Sequence, residues 1–360
     1  MATTAKVVSN RKGVLRRTTT WQTTPHHQHK LESRTETRRR PRCGRPIIAP
    51  PLSASNRRAG PAPSTSGARL VAEDSAAFDL AGQSLRSWTQ FFALLAVVSA
   101  GLYGIWIDPN LAGLGTSFVS SVETLSDSHE VVMLAILVAF GVAHSGIAAL
   151  RPQGERLVGA RAYRVAFALI SLPLALTAVT YFINHRYSGA ALFDVRSVPG
   201  VHGAVWWLSF ASFFFLYPST FNILEVAAVD EPKVHLWETG VMRVTRHPQM
   251  VGQVMWSLAH CLWMGNSFAI ATSAGLCAYH AFGCWHGDRR LEEKFGSDFV
   301  EVKNRTSVLP FAAILDGRQV LPRDYWKEWV RVPYLGVVLF TLGAYACHPA
   351  MQTAAHWVGW

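Results

Sequence analysis

The sequence predicts an all-α protein: a polytopic transmembrane helix bundle of six or seven spans behind a disordered N-terminal transit peptide. Three observations predict it. Half of the 360 residues are hydrophobic and only 16% are charged, against about 25% in soluble domains. The apolar residues gather in blocks close to the ~20 residues that a helix needs to cross a bilayer. The charge is also divided unevenly. Residues 1–70 hold 15 Lys and Arg against two acids, Glu32 and Glu36, whereas the other 290 residues hold 19 basic and 21 acidic residues. The basic excess is therefore an N-terminal property that says nothing of a nucleic-acid surface on the body, and no nucleic-acid partner is expected.

Residues 1–70 are rich in Arg, Ser, Thr and Pro, poor in acids, and lack an apolar h-region. That is the composition of an organelle transit peptide rather than a secretory signal, and it cannot bury enough apolar surface to fold. Cleavage is expected between residues 45 and 75, which leaves 71–360 as the transmembrane domain. The apolar blocks follow at 89–107, 131–150, 162–183, 201–224, 248–264, 267–285 and 332–347. The fifth and the last fall short of a full span, hence six or seven crossings.

The loops test that count. Loop 151–164 carries Arg151, Arg156, Arg161 and Arg164 against Glu155, and segment 286–331 carries nine basic residues. Loop 107–130 carries Asp108, Glu123, Asp127 and Glu130 and neither Lys nor Arg. If seven helices alternate, both basic segments and the N-terminus fall on one side, as the positive-inside rule requires. The polar stretch 286–331 is expected to form a cap of short helices. Four of the five cysteines (Cys261, Cys277, Cys284 and Cys347, but not Cys43) lie in or beside apolar blocks and read as free buried thiols.

Two histidines stand within spans, His144 in AFGVAHSGIAAL and His260 in MWSLAHCLWM. A polar side chain in hydrocarbon is costly unless partnered, and it commonly marks function. One reading is a ring hydrogen-bonded to a neighbouring helix or a serine. The other is metal ligation, since neutral imidazole binds iron, zinc and copper, and two imidazoles facing across a bundle can hold a b-type haem. Small residues around His144 (Gly141, Ala143, Ser145, Gly146) would let a flat macrocycle approach the backbone. Trp256 and Met264 share the helical face of His260. Cys277, His280 and Cys284 share another face, but three side chains on one helix cannot enclose a metal. His286, Asp288, Arg289 and Arg290 follow at the membrane exit, either as an interfacial anchor or as contacts to a cofactor's carboxylates. By these boundaries His144 lies deeper than His260 by roughly 15 Å. Either 248–285 is a re-entrant hairpin, or one ligand is another histidine, with His280 and His247 the substitutes.

VAHSGIAALRP, YFINHRY, TRHPQMVGQVMWSLAHCLWMGNS and FGCWHGDRRL, in that order, resemble the plastid 15-cis-zeta-carotene isomerases, which are relatives of the bacterial NnrU membrane family. The resemblance covers about residues 85–350. It implies a multi-pass plastid-membrane enzyme with haem b that converts 9,15,9′-tri-cis-zeta-carotene to the 9,9′-di-cis isomer. Its partners would be the zeta-carotene polyene, the bilayer, an electron donor and neighbouring carotenoid desaturases. His144 and His260 match the family's ligand histidines and would be both catalytic and iron-binding. His247, Arg289 and Arg290 would complete the cofactor contacts, and His185 is a further family histidine. The family places a Cys three residues before the second ligand. Ser257 stands there in this chain, and a hydroxyl is a poorer iron ligand than a thiolate. Cys261, next to His260, points about 100° away on a helix.

A rival resemblance runs from RHPQMVG to EEKFGSDFVEV and points to isoprenylcysteine and phospholipid methyltransferases. It implies an S-adenosylmethionine site built from His247, Pro248, Glu292 and Glu293. The intramembrane His144 and the N-terminal composition favour the isomerase.

Overall fold

The computed structural model describes residues 84–228, 236, 238–330 and 332–360. The expected transit peptide, residues 1–70, lies outside the described residues. Within them the regular structure is helical, save for an isolated antiparallel bridge between Ala191 and Asn266.

α1 (Leu85–Gly101) runs on into a π-helical turn, Leu102–Ile107, and is followed by α2 (Leu114–Glu123) and α3 (His129–Ala149). α3 starts where the Ser128 hydroxyl accepts from the Val131 N–H, a cap for an otherwise orphaned donor. A short α4 (Arg151–Val158) leads into α5 (Ala160–His185), and a loop into α6 (Val201–Ala228). After α7 (Val241–Val244) come α8 (Pro248–Met264) and the long α9 (Ser267–Phe295). The polar segment then forms α10 (Ser297–Arg305), α11 (Ala312–Leu315) and a 3-10 turn, Tyr325–Glu328. α12 (Val332–Ala346) and α13 (His348–Val358) close the chain. Each apolar block of the sequence is thus a helix, and segment 286–331 is a cap of short helices, apart from the end of α9.

The span count comes out lower than expected. Among the described residues, three helical stretches are long and apolar enough to cross a membrane: Trp88–Ile107, His129–Ala149 and Ala160–His185. α12 and α13, bent by 55° at their junction, make a fourth if the pair is one crossing. α8 has 17 residues, and α9 turns polar from His286 onward, so neither meets the criterion alone. The outer faces of these helices carry exposed Leu95, Val138, Val142, Leu339 and Phe340, the surface that a hydrocarbon solvent accepts.

Packing fixes the helix directions. Ser267 at the start of α9 donates to Glu130 at the start of α3, and a Cβ on Gly141 would lie 3.2 Å from Tyr279. α3 and α9 therefore run parallel, and Arg151 and Arg290 come to the same end of the bundle. α8 runs antiparallel to α9. Cys261 Sγ lies 3.2 Å from Ser273 Oγ, and Arg246 bonds Asp288 at the far end. α6 packs so closely on α8 that a Cβ on Gly252 would meet the Ser212 carbonyl at 2.6 Å, a contact that only glycine permits. The buried core joins Val132, Met133 and Ile136 of α3 to Tyr181, Phe268 and the terminal Trp360. Glu328 ties the cap down: it accepts from the Gly240 N–H and from Arg243 through both carboxylate oxygens.

Candidate functional site

The α8–α9 hairpin positions the principal site. The turn Gly265–Asn266 is held by the loop after α5, where the Leu192 N–H donates to the Gly265 carbonyl at 2.8 Å. Asn266 caps α9 by accepting from the Ala269 N–H at 2.8 Å, and its amide donates to the Arg186 carbonyl at 2.8 Å. One turn before this corner, α8 presents His260.

His260 faces a cavity of about 430 Å³ between α5, α6, α8 and the α12–α13 bend. That volume lies within the usual range for small-molecule and cofactor sites. The walls are mostly apolar and aromatic, including Phe182, Trp206, Phe210, Trp256 and Trp263. The His260 ring stacks on Trp256 with centroids 3.7 Å apart. Its Nδ1 lies 2.8 Å from the Trp256 carbonyl oxygen. A carbonyl only accepts, so Nδ1 carries the proton and Nε2 keeps its lone pair, the tautomer a metal ligand requires.

Two other imidazoles line the same cavity, His202 of α6 and His348 of α13. So does Arg186, whose Nε is buried without a hydrogen-bond partner. Its guanidinium lies 4.8 Å from the Tyr187 ring centroid and reaches Gln352 at 3.4 Å. Sequence reasoning missed these three. His202 is the second residue of its apolar block and His348 follows the last block, so neither interrupts an apolar run. The signal available was His348-Pro349 at the end of a span, where a proline marks a bend. Arg186 lay within the quoted YFINHRY but carried no role.

The structure does not bring the predicted site residues together. His144 sits among Phe140, Phe167 and Tyr279, with Nδ1 3.2 Å from Ser171 Oγ, and it is not among the cavity walls. It lies near the level of Tyr279 on α9, whereas Cys261 beside His260 is level with Ala269 and Ser273. The difference along the bundle is about 9–15 Å at ~1.5 Å per residue.

His247 caps the opposite end of α8. Its Nε2 lies 2.9 Å from Asp288 Oδ1, off the line of a hydrogen bond, so neither atom has a hydrogen-bond partner. Arg246 bonds the other Asp288 oxygen at 3.0 Å. Burial alone would raise the Asp288 carboxyl, but His247 and Arg246 outweigh it and hold the group below the usual carboxylate range. Arg289 is exposed and pairs with Glu293, Arg290 is exposed beside it, and Glu292 pairs with Lys303. The Arg-His-Pro corner and the Glu-Glu pair of the rival reading are thus engaged in structural ion pairs. His185 stacks on His129 at 4.1 Å, away from the cavity walls.

The two sulfur and hydroxyl candidates also turn away. Ser257 is buried and accepts from Gln253 Nε2 at 3.1 Å, and Cys261 faces α9. Among the described residues no three His, Cys, Asp or Glu side chains converge to hold a metal by themselves. The His280 and Cys284 face therefore makes no metal site. What the cavity offers is single imidazoles beside flat aromatic walls. That suits a macrocycle supplying most of its own ligands, with Arg186 available to a carboxylate.

Residues 132–355 match the family model described as NnrU protein. The chain is 58% identical over 294 residues to 15-cis-zeta-carotene isomerase, chloroplastic, of Zea mays, covering 82% of this chain and 80% of that protein. It is likewise 58% identical over 291 residues to the protein of the same name from Arabidopsis thaliana, covering 81% and 79%. No solved structure matches the chain. With such relatives over four fifths of its length, the chain belongs to the NnrU family and is, within it, an enzyme of the isomerase class that these chloroplast relatives define.

Proposed function

We propose that the protein is a haem-dependent carotenoid isomerase of a plastid membrane. It would rotate the central 15–15′ double bond of 9,15,9′-tri-cis-zeta-carotene to give the 9,9′-di-cis isomer. The observation that carries this reading is His260, whose Nδ1–H is committed to the Trp256 carbonyl while the ring lines an aromatic cavity. The relatives' names supply the substrate class. The apolar helices support a multi-pass placement; the apolar part of α6, Val201–Tyr217, and the α8–α9 hairpin would bring the crossings to six or seven.

The residues fit haem b. His260 supplies a neutral imidazole with a fixed tautomer. Trp206, Phe210 and Trp256 supply flat walls, and Arg186 supplies a cation with a spare buried donor for a carboxylate. When bound, the haem would supply a redox-poised iron able to lower the bond order of the central double bond. The rest of the work falls to the chain. The aromatic walls hold the middle of the polyene beside His260 and exclude water. No proton moves in a double-bond rotation, so a site without a paired-carboxylate dyad suffices. A wholly apolar C40 substrate reaches such a cavity most readily from the bilayer. The electron donor and neighbouring desaturases remain proposed partners.

The test is product analysis. Purified protein in liposomes, reduced and given the tri-cis substrate, should yield the 9,9′-di-cis isomer. His260→Ala should lower the rate at least 100-fold and lose haem. Full activity and haem content in that variant would overturn the assignment of this site.

A further inference from the structure

We infer that a groove between α6 and α12, floored by a row of aromatic rings on α6, holds one arm of the polyene substrate. Tyr217 and Phe340 close its far end and set how far that arm can run. This inference rests on the isomerase reading above and deepens it.

Size makes the first argument. At about 30 Å³ each, the share of a water molecule, forty carbon-sized groups need on the order of 1,000 Å³. The cavity beside His260 offers about 430 Å³, so much of a C40 chain must lie outside it. A polyene with a cis central bond is also bent there. Its two arms therefore leave the reacting bond in different directions, and each needs its own path.

α6 supplies a path for one of them. It runs antiparallel to α8, because His202 meets Trp263 with ring centroids 5.4 Å apart while Gly252 lies against the Ser212 carbonyl. That register sets Trp206 level with His260. From Trp206 a row of half-buried rings continues through Phe210 and Phe213 to Tyr217. The spacing of four, three and four residues keeps them on one helical face. Trp206 stacks on Phe210 at 5.2 Å with 8° between the planes, and Phe213 stacks on Tyr217 at 5.2 Å with 18°. At ~1.5 Å per residue the row is about 16 Å long. Its first three rings line the cavity and Tyr217 lies beyond the cavity walls, so the row leads out of the reacting site.

α12 faces the row. Tyr345 meets Trp206 edge-on at 6.4 Å at the cavity end, and Phe340 meets Tyr217 edge-on at 4.6 Å at the far end. The outward residues of α12, among them Leu339 and Phe340, are exposed and apolar, so the groove opens onto hydrocarbon. A flat conjugated chain can lie offset against stacked rings, a match that a flexible saturated lipid tail lacks. An arm seated against the Tyr217–Phe340 contact brings a fixed bond of the chain beside His260. The far pair would therefore act as a specificity stop, although neither ring touches the reacting atoms.

The experiment uses the full chain with haem in liposomes and two substrates. One is the tri-cis C40 polyene, and the other is a synthetic analogue with the same central bonds and shortened arms. Wild type is compared with Tyr217→Trp and Phe340→Trp, which enlarge the stop from opposite walls. Phe340 is 57% exposed, so its replacement disturbs no core packing. Each variant should lower kcat/KM roughly 10-fold or more on the C40 substrate, the scale of a mis-sized apolar site, and leave the short analogue within about 2-fold. Haem content and Tm should not change. In wild type, a C40 polyene carrying a diazirine at one end should cross-link beside Tyr217 or Phe340, located by mass spectrometry. The inference is overturned if both substrates slow alike, if neither slows, or if the diazirine attaches only elsewhere. A diazirine-tailed phospholipid that labels this groove and is not displaced by the polyene also overturns it and leaves a lipid site. Wild type that converts neither substrate sinks the isomerase reading itself, whereas unselective variants of an active enzyme sink this inference alone.

Discussion

Asp288 shows how one side chain secures an end of the bundle. It lies beyond the apolar part of α9 and draws Arg246 and His247 of the α8 entry onto one carboxylate. Removing one partner from a half-buried ion pair leaves the others uncompensated. Its depressed pKa gives the pH dependence a definite sign. The folded carboxyl titrates below its unfolded value, so its stabilisation is fully present above the ordinary carboxylate range, about 3.9. It is lost as pH falls through the folded value. Thermal unfolding should therefore show wild type above Asp288→Asn at pH 7, with the gap closing toward pH 3. A gap that stays constant over that range would show that the carboxylate charge is not what binds the corner. The same residue illustrates what single residues leave unsaid. Asp288, Arg289 and Arg290 read equally well in sequence as an anchor or as cofactor contacts. Only their pairing and exposure separate a structural corner from two surface arginines.

The α8–α9 hairpin carries the site, and its corner allows little variation. Gly265 has φ of +60°, and a Cβ there would lie 1.9 Å from the Phe193 carbonyl oxygen. Both the left-handed backbone and the close approach exclude a side chain. Gly265→Ala should cost at least 2 kcal/mol, about 1 for the backbone and the rest for displacing the loop after α5. It should also loosen His260 from its cavity, seen as a lower Tm and a lower haem content together. Unchanged values for both would show that the corner tolerates displacement. Element positions were legible in the sequence because each depends on a local property, the length of an apolar run. Pro248–Met264 matches its block to the residue. The number of crossings was less legible. A 17-residue helix and a 29-residue helix that ends polar satisfy a hydropathy pattern without satisfying a span.

The molecule has two dissimilar ends. One gathers Arg151, Arg289, Arg290 and the Arg246–His247–Asp288 corner, and the other holds the aromatic cavity with His260, His348 and Arg186. In the sequence the second end is marked by His260, which interrupts an apolar run. The sequence could not reveal which histidines share that cavity, because sharing depends on helix direction and on a bend. The depth conflict between His144 and His260 was visible from spacing alone, and the parallel packing of α3 and α9 bears it out. The central claim is that this end of the bundle holds haem on an imidazole. Its most direct test is the absorption spectrum of the detergent-purified protein, oxidised and dithionite-reduced, with a pyridine haemochrome assay. The account predicts a Soret band, sharp α and β bands on reduction, and close to one haem per chain. A protein expressed with ample haem that shows none of these would contradict it.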